Sequence, residues 1–414
     1  MATIIMITVA AWFATVFTGR LFTTPEEMRT VFDHSQRLLA QDDHEQAIEG
    51  YQMVVDFPSN PLMDANRVEV TIDLPQGQEI LPAKIAALYQ LGNSYKKMGA
   101  SLLQRSSELE DRGMIAQSKQ HTLEATQALK DAAVFFGEVV EKGHGTNLAV
   151  RAQYQLIQTL SSAERHRPVV IEGQRMRHLF PENEYGDDVL FLMGWAAFYD
   201  RDYPVARRYF GEIVTQYPGT FKADKSVMQI GEAYLAEDRF AEALPFFSRL
   251  VDNYRGRAGG QGAQTAEKLK MLRGEAQQSA RQLAATALIK IGECHEGASD
   301  VEYALDAYEE VVTDFFQETP LVQNALLRRA EMLLNHRGLD AGINAYQAAI
   351  DESAGDRVFQ AKLQAQILFL LFEHGRYEQA ITAYRTYING YSDVADEIGR
   401  PLAWAWYQMG ISYQ

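Results

Sequence analysis

A frame of residues that recurs at an interval of 37 positions constrains this chain more than any other feature of its sequence. Gly194 and Gly231 lie 37 residues apart, and Tyr217 and Tyr254 are separated by the same distance. In both copies an alanine follows the glycine after twelve residues, and an aromatic residue follows that alanine after four. A period of this length is typical of proteins built from stacked structural repeats. At 414 residues the chain is also too long for one ordinary hydrophobic core.

The spacing within the frame predicts pairs of antiparallel helices. Glycine and alanine are expected where two helices approach most closely, and Phe210 and Ile213 fall on one face of the second helix. Pro218 ends that helix, because proline lacks a backbone donor and cannot continue the hydrogen-bond ladder. Further copies of the frame occur along the chain, at residues 47–58, 91–139, 147–181, 292–315, 330–349 and 368–391.

These copies resemble the tetratricopeptide repeat family, in particular the variant of bacterial envelope proteins in which each repeat closes on Tyr-Pro or Phe-Pro. The closing pair is present at Tyr217-Pro218 and at Phe180-Pro181. The resemblance covers the chain from about residue 24. It implies an all-α solenoid, a right-handed superhelix of helical hairpins whose first helices line a concave groove. The chain departs from the outer-membrane lipoproteins of this group, because its only cysteine, Cys294, lies far from the N-terminus.

The resemblance also implies a function. A protein of this kind is expected to be a non-enzymatic scaffold or assembly factor that binds other proteins and organises the subunits of a bacterial envelope complex. The alternative is a permanent structural subunit of a large membrane-associated assembly.

The first residues of the chain are strongly apolar. Residues 2–19 carry no charge before Arg20, and their number is about the minimum that spans a bilayer as a helix. This segment predicts an N-terminal hydrophobic helix at 1–22 that anchors the chain in a membrane, with the remainder periplasmic or extracytoplasmic. A buried interaction helix and the remnant of a secretory signal are the alternatives, although the basic start of a signal is missing.

Three segments interrupt the repeat. Residues 67–80 alternate valine and isoleucine with polar residues around a Pro-Gln-Gly sequence, which predicts either a small β-hairpin or an ordered loop. Residues 100–130 are rich in Gln, Ser, Glu and Lys and are predicted to lengthen the two helices of one hairpin. Residues 255–264 predict a flexible loop that precedes a helical run ending near residue 284.

These interruptions divide the chain into two predicted repeat arrays, at 24–254 and 285–414, joined by a linker and helical extension at 255–284. The second array ends in a half repeat, since the last residues repeat the first-helix pattern without a second helix. A terminal repeat normally carries a polar capping helix. Either the biological chain continues past Gln414, or a partner covers that end.

The charge and the residue chemistry exclude several function classes. A net charge of −16 argues against nucleic acid as a partner, because binding a polyanion requires a basic stripe. A single cysteine cannot form an intramolecular disulfide, and the sequence contains no HExxH or CxxC metal motif. His295 occupies the position of Tyr234 in the preceding copy, which predicts a packed core histidine. We therefore expect no catalytic, cofactor-binding or metal site, and no enzymatic activity.

The first-helix positions that face the implied groove supply the candidate partner-binding residues. In the fourth repeat these positions are Asp188 and four aromatic residues, Phe191, Trp195, Phe198 and Tyr199. In the second repeat they are Tyr89, Asn93, Lys96 and Lys97. Aromatic anchors contribute most of the binding energy at many protein interfaces. The alternative is that the tryptophan and its neighbours pack against the insertions or against the adjacent hairpin.

Overall fold

The computed structural model describes residues 24–41, 43–57, 64–75, 77–259, 275–353 and 355–413. Across these residues the chain is mostly helical, with one 3-10 turn at Ala65–Arg67 and one two-stranded sheet. The predicted membrane anchor at residues 2–19 lies outside the described residues. None of the helices described is long and apolar enough to cross a membrane.

The helices follow one another in antiparallel pairs. The α-helices of the described residues are α1 Pro25–Ala40, α2 His44–Val55, α3 Ala83–Asp111, α4 Ile115–Lys142, α5 Asn147–Ser162, α6 His166–Leu179, α7 Gly186–Tyr199, α8 Tyr203–Gln216, α9 Phe221–Leu235, α10 Phe240–Gly259, α11 Glu275–Gly297, α12 Val301–Asp314, α13 Thr319–Arg337, α14 Leu339–Glu352, α15 Arg357–Glu373, α16 Tyr377–Gly390 and α17 Leu402–Ser412. Odd-numbered helices are the first helices of hairpins, and α17 is the first helix of the half repeat. The predicted helical repeat is confirmed.

The glycine of the sequence frame lies where the aromatic ring of the second helix packs. A Cβ atom built on Gly231 would lie 2.6 Å from the ring of Phe247, and one on Gly92 would lie 2.7 Å from the ring of Phe136. Both phenylalanines are fully buried. Real Cβ atoms do not approach so closely, so only glycine allows the first helix to receive the ring.

Threonine begins three of the first helices. The side chains of Thr24, Thr146 and Thr220 accept hydrogen bonds of 3.3, 3.1 and 3.1 Å from the backbone N–H three residues later. A hydroxyl at this position satisfies one of the N–H groups that a helix start leaves without an intrahelical partner. Gly145 and Gly219, each at a positive φ, turn the chain immediately before two of these caps.

The chain forms two compact units, Met1–Tyr209 and Phe210–Gln414, called the first and second unit below. The core of the first unit includes the buried rings of Phe32, Tyr51 and Phe136. The second unit has two hydrophobic clusters, one around Phe247 and Tyr308 and another around Tyr346 and Tyr384. The predicted division into arrays at 24–254 and 285–414 stays a prediction.

The segment at 67–80 forms a β-hairpin, the first of its two predicted alternatives. Strands β1 (Glu69–Leu74) and β2 (Gly77–Pro82) pair antiparallel, with Leu74 opposite Gly77. Alternate side chains of β1 are buried, which explains the valine and isoleucine pattern. Glu79 connects the hairpin to α5 by accepting hydrogen bonds of 3.2 and 3.1 Å from the backbone N–H groups of Asn147 and Leu148.

The two other interruptions differ in outcome. Residues 100–130 lengthen α3 and α4 to 29 and 28 residues, as predicted. The loop predicted from residue 255 is wrong at its start, because α10 continues as a helix to Gly259. Arg255, in the last turns of α10, forms ion pairs with Glu310 and Asp314 of α12.

Candidate functional site

The first helices of the first unit lie side by side and present a common surface. Lys96 on α3 donates hydrogen bonds of 2.7 Å to Gln155 Oε1 and 2.8 Å to Gln158 Oε1 on α5. Arg151 Nε on α5 donates a hydrogen bond of 2.7 Å to the hydroxyl of Tyr89 on α3. We call the surface that α3, α5 and α7 present together the first-helix face.

Tyr154 connects α5 to α7 on this face. Its ring stacks on that of Tyr185, with 4.2 Å between ring centroids, and its hydroxyl is hydrogen-bonded to Gln158 and Asp188. Burial, and then the negative charge of Asp188, raise the pKa of Tyr154 to about 12. The hydroxyl therefore stays protonated at neutral pH, and hydrogen bonds extend across the face from Lys96 to Asp188.

An aromatic cluster, consisting of Phe191, Trp195, Phe198 and Tyr199, occupies α7. Phe191, Trp195 and Tyr199 are spaced four residues apart, so they follow one face of the helix. The ring of Trp195 is central: its centroid lies 6.3 Å from Phe191, 5.7 Å from Phe198 and 5.5 Å from Tyr199, the last contact being stacked. The structure therefore brings together all four aromatic residues that the sequence predicted.

Both ends of the aromatic cluster have a neighbour within the first unit. The ring of Tyr199 stacks on His166 at the start of α6, with 5.3 Å between centroids. Phe198 meets Tyr203, the first residue of α8, edge-on at 5.3 Å. Tyr199 nevertheless remains 61% exposed, and the other three residues are half-buried. The rings are thus held in place and still offer apolar surface to a ligand.

The three candidates on α3 have different environments. Tyr89 is only 4% exposed and its ring packs edge-on against Phe136, so the prediction that its ring faces a groove is wrong. Its position lies on the side of α3 that meets α4, and only the hydroxyl reaches Arg151. Lys97 is exposed to solvent, whereas Lys96 is half-buried between α3 and α5.

The pKa of Lys96 is unusually low for a lysine. Burial lowers its pKa to about 8, from an ordinary value of 10.5, and no other cause contributes. Its acceptors are neutral amide oxygens, and among the described residues it forms no ion pair with a carboxylate. Two neutral amide oxygens thus accept hydrogen bonds from a half-buried cation on the first-helix face.

Two cations on first helices of the second unit, Lys290 and Arg328, form ion pairs with glutamates on first helices. Lys290 on α11 lies 3.3 Å from Glu232 on α9 and 3.0 Å from Glu293. Arg328 on α13 lies 3.0 Å from Glu293 and 3.5 Å from Glu296. Burial alone would lower the pKa of Lys290, but the two carboxylates outweigh burial and raise it. These ion pairs connect α11 to α9 on one side and to α13 on the other.

Two residues with chemically versatile side chains, Cys294 and His295, are adjacent on α11. Cys294 is fully buried, and burial raises the pKa of its thiol to about 12, which makes the thiol a poor nucleophile. His295 is half-buried, with its ring 5.3 Å from that of Tyr303. Within the described ranges, no group of three or more His, Cys, Asp or Glu side chains has the arrangement of a metal site.

The sequence prediction missed the residues of α5. Tyr154, Gln155 and Gln158 lie on the first helix of the repeat at 147–181, whose copy of the frame is degenerate. Alignment of that helix with its neighbours would have placed them beside Lys96 and Asp188. Their interactions depend on the packing of α5 between α3 and α7, which the pattern of one helix does not specify.

Comparison with known proteins agrees with the repeat architecture. A sequence model of the tetratricopeptide repeat family matches residues 191–258, which include the aromatic cluster. No curated protein matches the sequence significantly.

The solved structures that match this chain share little sequence with it. A tetratricopeptide repeat protein from Parabacteroides merdae has 10% identity and a TM-score of 0.38, over 77% of this chain and 100% of the other. The apo form of RapI has 10% identity and a TM-score of 0.44, over 93% of this chain and 96% of the other. A signal-transduction ATPase with a tetratricopeptide repeat sensor from Pyrococcus horikoshii has 13% identity and a TM-score of 0.39, over 84% of this chain and 55% of the other.

Proposed function

Because the chain carries tetratricopeptide repeats, we propose that it is a non-enzymatic protein–protein interaction scaffold whose first-helix face in the first unit binds a segment of a partner protein. The observation that carries this proposal is the aromatic cluster on α7, whose four rings contact one another and remain partly exposed. Tryptophan and tyrosine are enriched among the residues that contribute most to binding energy.

The aromatic cluster is suited to binding because its rings are already ordered. Trp195 is in contact with Phe198 and Tyr199 of its own helix, and His166 supports Tyr199 from the neighbouring helix. A side chain fixed before binding loses less conformational entropy when a partner covers it. Large rigid rings therefore give the surface affinity without a deep enclosed pocket.

We propose further that the scaffold is tethered to a membrane through residues 2–19 and acts outside the cytoplasm as an assembly factor for an envelope complex. The support for this part is the uncharged apolar segment and the Tyr-Pro and Phe-Pro closing pairs. Deletion of residues 2–19 should move the protein from the membrane fraction to the soluble fraction. Retention of the truncated chain in the membrane fraction would contradict the tether.

A permanent structural subunit is the second candidate. The observation that favours it is the exposed aromatic pair on α17, where Trp406 is 55% and Tyr407 67% exposed. Such a pair would be covered in a stable assembly. Analytical ultracentrifugation of native material in mild detergent distinguishes the two candidates, because a monodisperse monomer would contradict the permanent subunit.

The binding proposal is tested by affinity purification from native membranes in mild detergent, followed by quantitative mass spectrometry. Trp195→Ala should reduce recovery of the stoichiometric partner at least tenfold, a typical loss for an interface anchor. Phe316→Ala is the matched control, because Phe316 is an aromatic residue that is 68% exposed in the turn after α12. Equal partner recovery with both variants would refute binding at the aromatic cluster.

A further inference from the structure

A cleft of about 460 Å³ opens between α15 and α17 in the second unit. Ile398 and Arg400, in the segment that leads from α16 to α17, form one of its walls. We propose that this cleft binds a purine nucleoside monophosphate. Its volume lies within the range of about 300–1,000 Å³ that is typical of small-molecule sites. The cleft belongs to a different unit from the aromatic cluster, so its ligand is independent of the proposed protein partner.

A buried hydroxyl opens onto the cleft. Tyr384 on α16 is 1% exposed and lines the cleft, and its hydroxyl forms no hydrogen bond with the described part of the chain. The hydroxyl oxygen is not fully enclosed, so the cleft is the side from which it is accessible. Burial raises the pKa of Tyr384 to about 12, although the positive charge of Arg400 opposes this change. At neutral pH the hydroxyl therefore stays protonated and offers one O–H donor to a ligand.

The equivalent tyrosine of another repeat shows why this donor is available. Tyr308 on α12 has the same frame position as Tyr384, and its hydroxyl donates a hydrogen bond of 3.0 Å to Glu296 on α11. The residue of α15 that corresponds to Glu296 is Phe372, which has no acceptor in its side chain. An aromatic ring in place of the carboxylate therefore leaves the hydroxyl to a ligand and adds apolar surface to the cleft.

Phe369 supplies a flat apolar surface at one end of the cleft. Its side chain is 51% exposed, and its ring contacts no other aromatic ring of the described residues. Phe372 lines the cleft almost one turn further along α15. Removing an aromatic ring on which a base stacks typically weakens binding by about 5- to 150-fold. The two rings therefore favour a planar base, and a purine covers more of their surface than a pyrimidine does.

Two cations line the opposite end of the cleft. Lys362 precedes Phe369 by seven residues, which is about two turns or 10 Å along α15. Arg400 lies just before α17, with its guanidinium 5.0 Å from the centroid of the Trp404 ring. Trp404 has the frame position of Lys362, so both cations lie at the same end of these parallel first helices. Among the described residues neither cation forms an ion pair, and a phosphate would accept hydrogen bonds from both.

Two amide side chains line the middle of the cleft. In the repeat frame, Leu368 and Gly410 take the place of Gly194. Gln366 and Gln408, each two residues earlier, are therefore equivalent residues of neighbouring first helices. Both line the cleft, and neither side chain forms a hydrogen bond with the residues that the structure describes. Each amide can donate and accept, which suits the hydroxyl groups of a ribose.

The order of these groups along the cleft specifies the ligand. The aromatic rings, the pair of amides and the two cations follow one another over about 10 Å. A base, a ribose and a phosphate follow one another in the same order in a nucleotide, whereas a compact aromatic acid has no spacer between its ring and its charge.

The acidic groups of the chain do not oppose a single phosphate in this position. Glu373 also lines the cleft, but it lies eleven residues, or about three turns, from Lys362 and so at the end of the uncharged base. The net charge of −16 opposes a long polyanion. A single phosphate responds mainly to the cations beside it, because salt screens charges that are further away than about 8 Å.

The experiment is isothermal titration calorimetry of the full-length chain, in mild detergent and at about 0.15 M salt, with adenosine and guanosine monophosphates. We expect saturable binding of at least one of the two. The matching nucleoside lacks the phosphate and ribose 5-phosphate lacks the base, so each should bind at least tenfold more weakly. Absence of saturable binding of either nucleotide by the folded protein, or equal binding of ribose 5-phosphate, would overturn the proposal.

Two variants locate the ligand in the cleft. Phe369→Ala should weaken nucleotide binding at least tenfold, whereas Phe316→Ala removes an exposed aromatic residue of the same unit outside the cleft and should change nothing. Lys362→Met should weaken nucleotide binding at least fivefold and leave the affinity for the nucleoside unchanged, a difference that a purely structural role would not produce. Lys97→Met removes an equal charge from an exposed position in the first unit and should affect neither ligand. Circular dichroism establishes that each variant is folded.

The outcomes distinguish a nucleotide from a protein ligand. Equal nucleotide affinities in the parent, Phe369→Ala and Lys362→Met would place the nucleotide elsewhere on the chain and overturn the cleft as its site. A benzophenone amino acid at position 369 that crosslinks to a partner protein, with no nucleotide bound by the parent, would assign the cleft to a protein segment and also overturn the proposal. Neither outcome affects binding at the aromatic cluster, which Trp195→Ala tests.

Discussion

Replacing Lys96 with methionine should stabilise the protein. Burial lowers the pKa of Lys96 from 10.5 to about 8, so the folded state holds the charged form less favourably than the unfolded chain does. Each tenfold difference in proton affinity between the two states corresponds to about 1.4 kcal/mol, and the charged lysine therefore costs about 3 kcal/mol below pH 8. Methionine has a similar length and carries no charge.

The net gain is smaller than this cost. The variant loses the hydrogen bonds to Gln155 and Gln158, each worth about 1 kcal/mol. We therefore expect the free energy of unfolding near neutral pH to rise by about 1 kcal/mol in Lys96→Met.

The pH dependence of the free energy of unfolding tests this reasoning more sharply than its value near neutral pH. Between about pH 8 and pH 10.5 the unfolded chain binds a proton at this lysine that the folded protein does not, so the stability of the parent rises with pH. From about pH 7 to pH 9.5 this gain amounts to about 2 kcal/mol relative to Lys96→Met. The other titrating groups are common to both proteins and cancel in the difference.

The assay is urea denaturation followed by far-ultraviolet circular dichroism, on both proteins across that pH range. Repeat proteins do not always unfold in one step, so the comparison uses the transition that both proteins share. A variant that is less stable than the parent near neutral pH, with the same pH dependence, would refute the reasoning. Lys96 would then be fully hydrated or paired in solution.

Three further predictions concern stability and reactivity. Gly231→Ala should lower the free energy of unfolding by about 1–3 kcal/mol, because the added methyl group overlaps the ring of Phe247. Gly211→Ala is the matched control: it has open space around the added methyl group and should raise the free energy of unfolding by up to about 1 kcal/mol. Urea denaturation measures both changes. Glu79→Ala should cost about 1 kcal/mol in the same assay, because the start of α5 loses its acceptor for two N–H groups. Ellman's reagent should not modify Cys294 in the native protein and should react at once in denaturant, since the thiol is buried with a raised pKa; rapid labelling of the native protein would contradict its burial.

The repeat architecture was predictable because its determinants are local in sequence. Gly231 and Phe247 lie sixteen residues apart in one hairpin, and the structure shows the ring packed against the glycine as the frame requires. The same logic located the aromatic cluster, since its four residues belong to a single helix. The Gln-, Ser-, Glu- and Lys-rich composition of residues 100–130 also predicted the lengthened helices α3 and α4.

What could not be predicted depends on contacts between hairpins. Helix α10 continues beyond its expected end, where Arg255 pairs with Glu310, and nothing in the sequence of 255–259 reveals that contact. The role of Lys96 depends on two glutamines about 60 residues further along the chain, in the least regular repeat. Tyr89 was misplaced because its ring lies on the side of α3 that meets α4, and only its hydroxyl reaches Arg151 on α5.

Site-specific photo-crosslinking in the native host tests most directly whether the aromatic cluster binds a partner protein. A benzophenone amino acid is placed at position 195, in the centre of the aromatic cluster, and in a parallel strain at position 316, which is at least as accessible but lies outside the first-helix face. We expect position 195 to yield a discrete crosslink to one partner protein and position 316 to yield none. Crosslinks from position 316 alone, or no crosslink from position 195 in cells where the protein is folded, would contradict binding at the aromatic cluster.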